Sequence, residues 1–152
     1  MSAEQNFPSM SAADLERILK LRQEAAGLNQ TLHMHVVTLD KDGGATAELK
    51  LTPDVLNPLG MAHGGTIFSL CDIAAGSAAA SHGVIAVTLD STINFYRPGL
   101  PGTTLTANAY ERKRGRTTAV YMVEVFDENQ RHIADATFTM YYTGEKLTDK
   151  TS

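Results

Sequence analysis

The sequence holds a single cysteine, Cys71, among its 152 residues, which excludes an internal disulfide and any multi-cysteine metal site. It also lacks a basic excess. Thirteen Lys and Arg face seventeen Asp and Glu, and the net charge of -4 argues against nucleic acid as a partner. No window approaches the roughly 18 consecutive apolar residues of a membrane helix, so no membrane partner is expected. The polar start M1-S-A-E-Q-N-F-P has neither the basic flank nor the apolar core of a signal peptide, and the expected location is cytoplasmic. Internal repeats, low-complexity tracts and long linkers are missing as well. What remains is an ordinary globular composition, 43% hydrophobic and 20% charged, in a chain that fits one domain with a real core.

Ser11 to about Gly27 reads as a helix, with Ser11 as N-cap, Asp14 in the first turn, an imperfect stripe of Leu15, Ile18 and Leu21, and Gly27 as the stop. It is expected as an accessory element in an N-terminal extension over residues 1–27, ahead of a core over 28–143 and a tail over 144–152. Strands are expected at His35 to Leu39 and Thr46 to Leu51, joined by the D40-K-D-G-G44 turn into a hairpin. A long helix from near His63 to near Ser81 follows. Alternation then predicts strands around Val87 to Tyr96, Thr103 to Arg112, Thr117 to Asp127 and His132 to Thr143. Two strands, one helix and a run of antiparallel strands make an α+β domain in which one sheet wraps a single helix.

The chemistry concentrates in N57-P-L-G-M-A-H-G-G-T-I-F-S-L-C-D72. I73-A-A-G-S-A-A-A80 is small and apolar, so the helix is expected to be buried nearly all round, and Asp72 is out of place in it. It reaches solvent, pairs with a distant group, or faces a ligand. At the helix entrance Gly64 and Gly65 expose backbone amides that suit an anion or a developing oxyanion, unless they merely make a turn. Gly65 and Asp72 are seven positions apart, so their Cα atoms lie ~10 Å apart along one helix. That is awkward for two groups acting on one carbonyl. Two antiparallel helices from two chains would solve it, which hints at a two-fold dimer with composite sites.

With S91-T-I-N-F-Y-R-P-G99 added, the segment resembles the hotdog-fold acyl-CoA thioesterases, most closely the phenylacetyl-CoA thioesterase branch, over roughly Leu28 to Tyr142. The resemblance implies a curved antiparallel sheet around a central helix, dimers that join their sheets, and tetramers of two dimers. It implies hydrolysis of an acyl-CoA with an aryl-acetyl or medium-chain acyl group, with no cofactor. By the same resemblance Asp72 matches the catalytic carboxylate, acting as general base toward water or as nucleophile. Gly65 N–H matches the oxyanion donor, Asn57 a residue orienting the thioester or the water, and Thr88 a hydroxyl assisting that water. His63 is read as structural or orienting. Gly64, Phe68, Ser69, Arg97 and Pro98 are placed as substrate-binding positions.

Coenzyme A carries phosphates, and a basic rim is expected from Arg97 with Arg112, Lys113, Arg114 and Arg116, Gly115 making the turn that aims its neighbours outward. Cys71, one residue from Asp72, is read as packing. His33 and His35 share a strand face, yet no further ligands gather there and no metal is expected. Two other functions stay open: a hotdog dehydratase or hydratase, and a non-catalytic acyl-CoA binding or regulatory protein.

Overall fold

The computed structural model describes residues 7–147. The polar start over residues 1–6 and the last part of the C-terminal tail, 148–152, lie outside the described residues. Helix α1 spans Ala12–Glu24 and opens on a capping box: Asp14 N–H donates to Ser11 Oγ at 3.1 Å while Ser11 N–H donates to the Asp14 carboxylate at 3.0 Å. It stops at Glu24 rather than Gly27. Gly27, at φ +90, instead leads into a short helix α2, Leu28–Thr31, which sequence patterning did not predict. Strands β1 (Met34–Asp40) and β2 (Gly44–Lys50) form the expected hairpin, whose turn is held by Asp40 Oδ1 accepting from the N–H groups of Asp42 and Gly44. His33 falls outside β1 at φ +57 and faces Asp54 at 3.3 Å, so it does not share a strand face with His35.

After a 3₁₀ turn at Pro53–Val55, helix α3 runs over Gly64–Ala80, followed by β3 (Val84–Phe95), β4 (Thr104–Arg114), β5 (Thr118–Phe126) and β6 (His132–Lys146). All six strands make one antiparallel sheet in the order β1-β2-β4-β5-β6-β3. Register shifts in β1, β3, β4 and β5 let the sheet bend around α3. The helix is buried on most of its surface, and the small residues Ala74, Ala75, Ala78 and Ala79 admit the side chains of Tyr121, Val123, Phe138 and Tyr142 to one core. That is the expected α+β architecture of one sheet curved about one helix.

Strand β3 departs from its pattern. Its alternation predicts a half-buried strand, but Val87, Leu89 and Phe95 are 48%, 59% and 51% exposed along the outer edge of the sheet.

At the C-terminal end of α3, His82 contacts Glu111 at 2.8 Å, Glu111 accepts from Tyr121 Oη at 3.3 Å, and the Tyr121 and Tyr142 hydroxyls are 2.6 Å apart. Burial pushes the Tyr142 hydroxyl up to about 12 and holds the His82 imidazole below its ordinary value, with Arg114 adding to the depression and Glu111 opposing it. A depressed imidazole contributes stability that is full above the unfolded value near 6.5 and is lost as pH falls below it. Urea unfolding at pH 8 and pH 5.5 should therefore show a loss at the lower pH that is smaller in His82→Gln. Equal losses would remove His82 as a source of acid sensitivity.

Candidate active site

His63 caps α3 because its ring takes one of the amide donors that the first turn of a helix leaves unpaired: Gly65 N–H donates to His63 Nδ1 at 2.8 Å. This gives His63 an orienting task, and it occupies the amide that the resemblance assigned to an oxyanion. Gly64 N–H, one position earlier, has no hydrogen-bond partner among the described residues and borders a cleft of about 450 Å³. Asn57, Arg97 and Pro98 line the same cleft, with Met61, Phe95 and Tyr96, which sequence reasoning did not single out. Asn57 Oδ1 accepts from Leu59 and Met61 N–H at 2.9 and 3.1 Å, so the loop consumes its acceptor and leaves its amide to donate. Arg97 donates from Nη1 to the His132 carbonyl at 2.9 Å.

Asp72 opens on a second cleft of about 300 Å³, walled by Leu28, Met34, Phe68 and Ile73 with Asn29 and Ser69. Thr88 Oγ1 donates to Asp72 Oδ1 at 2.9 Å, so two residues that the resemblance named separately, a carboxylate and a hydroxyl, are in contact. Phe68 leans on Phe138 with ring centroids 5.5 Å apart, and Ser69 Oγ donates to the Gly65 carbonyl at 2.8 Å. The two clefts share no lining residue, so one chain keeps the glycine amides and the carboxylate apart. Beside Asp72, the buried Cys71 thiol is pushed up to about 12, mainly by burial and further by the charges of Asp72 and Asp135. It stays a protonated packing group.

The basic hairpin is exposed as expected at Arg112, Lys113, Arg114, Gly115 and Arg116, and Gly115 closes the turn by donating to the Thr118 carbonyl at 2.7 Å. Arg114 is also engaged within the chain: its Nε is 3.6 Å from Glu111 and its guanidinium sits 4.2 Å over the Phe7 ring. The like charges of its neighbours repel it, while Glu111 and an aromatic face attract it. Arg114 also lines a polar cleft with His82, at the opposite end of α3 from the glycines. The 17-residue helix makes that distance roughly 24 Å at about 1.5 Å per residue.

Sequence reasoning missed Arg22. It continues the stripe of Leu15 and Ile18 at helical spacing, which was the available signal, and its Nε donates to the buried Ser77 Oγ at 3.0 Å. Burial lowers its hold on its proton and the Asp72 charge opposes that.

Residues 59–134 match the model of the thioesterase superfamily. The chain is 38% identical over 105 residues to the acyl-coenzyme A thioesterase PaaI of Escherichia coli K12, covering 69% of this chain and 74% of the relative. The solved structure of the E. coli PaaI protein from the phenylacetic acid degradation operon superposes with a TM-score of 0.82 at 32% identity, over 87% of this chain and 95% of that one. A Streptococcus pneumoniae TIGR4 hypothetical thioesterase solved with coenzyme A gives 0.71 at 35% identity, over 74% and 90%. Alanine variants of that protein, also solved, alter an aspartate and a threonine sixteen positions apart, the separation of Asp72 and Thr88. The Streptococcus mutans protein solved with acetyl CoA gives 0.74 at 36% identity, over 81% and 96%. With a matching family model, a curated relative at 38% identity and a shared sheet-and-helix architecture, the chain belongs to the thioesterase superfamily and has its hotdog fold.

Proposed function

We propose that this chain hydrolyses acyl-coenzyme A thioesters, with an aryl-acetyl or medium-chain acyl group, to the free acid and coenzyme A. The observation that carries the reading is the Thr88–Asp72 hydrogen bond at the mouth of a cleft walled by Leu28, Met34, Phe68 and Ile73. Thr88 fixes Oδ1 and leaves the other carboxylate oxygen for a water, whose second partner is a lone pair of the Thr88 hydroxyl. Asp72 takes a proton as the water oxygen bonds to the thioester carbon, the C–S bond breaks, and the proton passes to the departing thiolate. A reaction run in ¹⁸O-water should label only the released acid; label in the Asp72 carboxylate would replace the base by a nucleophile.

The oxyanion falls to the α3 entrance, where Gly64, its N–H without a partner among the described residues, lines the first cleft at the positive end of the helix dipole. Gly65 N–H could join it only by leaving His63 Nδ1. Because the two clefts are distinct, the site is completed by a second chain, α3 of each protomer offering its glycines to the other's Asp72. The apolar, exposed edge of β3 supports a two-fold pairing there, since a 12-residue edge strand, paired only to β6 among the described residues, offers its free side as a template for another chain. Arg97, in the amide cleft, is the first candidate for a coenzyme A phosphate, with Arg112, Lys113 and Arg116 on the exposed hairpin after it.

Free-thiol release, followed with a thiol-reactive dye, tests this on acetyl, hexanoyl, decanoyl, phenylacetyl and benzoyl CoA. Turnover is expected to favour the longer or aromatic groups over acetyl. Silence on every ester while the esters still bind would make the protein an acyl-CoA binder.

A further inference from the structure

We propose that Arg22 of α1 is an electrostatic positioning residue for Asp72, which makes the N-terminal helix part of the catalytic unit; the inference rests on the thioesterase reading above. Three observations converge on it. Arg22 is tied to α3 by its Nε–Ser77 Oγ hydrogen bond of 3.0 Å, across 55 positions of sequence. Its guanidinium reaches α3 at Gly76, where a Cβ would stand 3.1 Å from Nη2. Glycine is a poor residue for a helix interior, and here its missing side chain is the space that the guanidinium fills. Gly76 is one turn beyond Asp72 on the same helix face, so the cation sits beside the carboxylate without a direct salt bridge. Asp72 in turn raises the hold of Arg22 on its proton.

The surroundings make this cation matter. Around Asp72, α2 and β1 contribute Leu28, Asn29 and Met34, α3 contributes Phe68, Ser69, Ile73 and the neutral Cys71 thiol, β3 contributes Thr88, and Met140 of β6 stands behind Thr88. Arg22 is the cation of this set. An acyl group filling the cleft displaces water from the carboxylate, and a fixed cation then replaces part of the lost solvation without moving during the reaction. Not contacting the reacting atoms, Arg22 acts through Asp72. Salt contacts on a wet surface contribute little, but this guanidinium is half-buried between two helices, where charge is less screened.

The test separates charge from tether. On the best CoA ester, Arg22→Met is expected to lower kcat about tenfold or more with KM within about twofold, and Arg22→Lys to restore kcat to within about threefold of wild type. Ser77→Ala keeps the charge and loosens the tether, so it should change the melting temperature more than kcat. Arg22→Gln carries the same comparison if the Met variant does not fold, as judged by circular dichroism. A wild-type kcat in Arg22→Met or Arg22→Gln, or a Lys variant as slow as the neutral ones, overturns the proposal. A wild type silent on all esters overturns the thioesterase reading itself, and this one with it.

Discussion

Asp72→Ala is expected to lower kcat for thiol release by roughly three powers of ten while KM changes by less than about twofold, the size and signature of a lost general base. The effect is predicted to be this large because Asp72 stands alone in its role: in its cleft the other polar side chains are Asn29, a donor and acceptor with no charge, and Ser69, whose proton is already given to the Gly65 carbonyl. The fold should survive, since the carboxylate's link from α3 to β3 is the one hydrogen bond it accepts from Thr88, beside extensive packing of the helix on the sheet. Thr88→Val keeps the carboxylate and removes one hydrogen bond, so its loss should be smaller, about tenfold. A deficit confined to KM would make Asp72 a binding group. Retained turnover would remove it from the chemistry altogether.

The second large effect should come from a place where no chemistry occurs. Val87→Asp with Leu89→Asp adds two charges to the exposed β3 edge of each protomer, and two-fold symmetry sets four of them together at the proposed interface. Like charges so placed cost several kcal/mol, and each ~1.4 kcal/mol is tenfold in the dissociation constant. Both side chains are solvent-exposed in the single chain, so folding should survive. Sedimentation should show monomers at concentrations where the wild type is expected to run as a dimer. If each site borrows from both chains as proposed, turnover per chain should collapse with the association and recover as protein concentration rises. An assembled variant, or an active monomer, would rule out sites shared across that edge.

The sequence revealed most of the frame and about half of the site. The bounds of α3 were legible to within one residue because His63 is a cap and Gly83 a stop. Strand order was not, because ladder partners such as Gly44 and Tyr110 lie far apart in sequence and nothing local names them. Asp72 and Thr88 were each named through the family resemblance, but their contact was not legible, as sixteen positions separate a strand residue from a helix residue. The stacking of Arg114 on Phe7 was illegible because the ring arrives from more than a hundred positions away. Arg22 was hidden for the opposite reason. A cation on an apolar stripe reads as a flaw in the stripe until the glycine opposite it is seen.

The burial of α3 by strands that mostly follow it bears on how the chain is made. Ala80 closes the helix, but the strand that completes the sheet, β6, ends only at Lys146. At translation rates of about 5 to 20 residues per second, the ribosome needs roughly 3 to 13 s to make the intervening stretch. During that interval a segment apolar on almost every side has only α1 and the β1–β2 hairpin to lie against. Nascent chains of this protein should therefore be clients of holding chaperones until the last strand emerges, and slowing synthesis after Ala80 should lower the soluble yield.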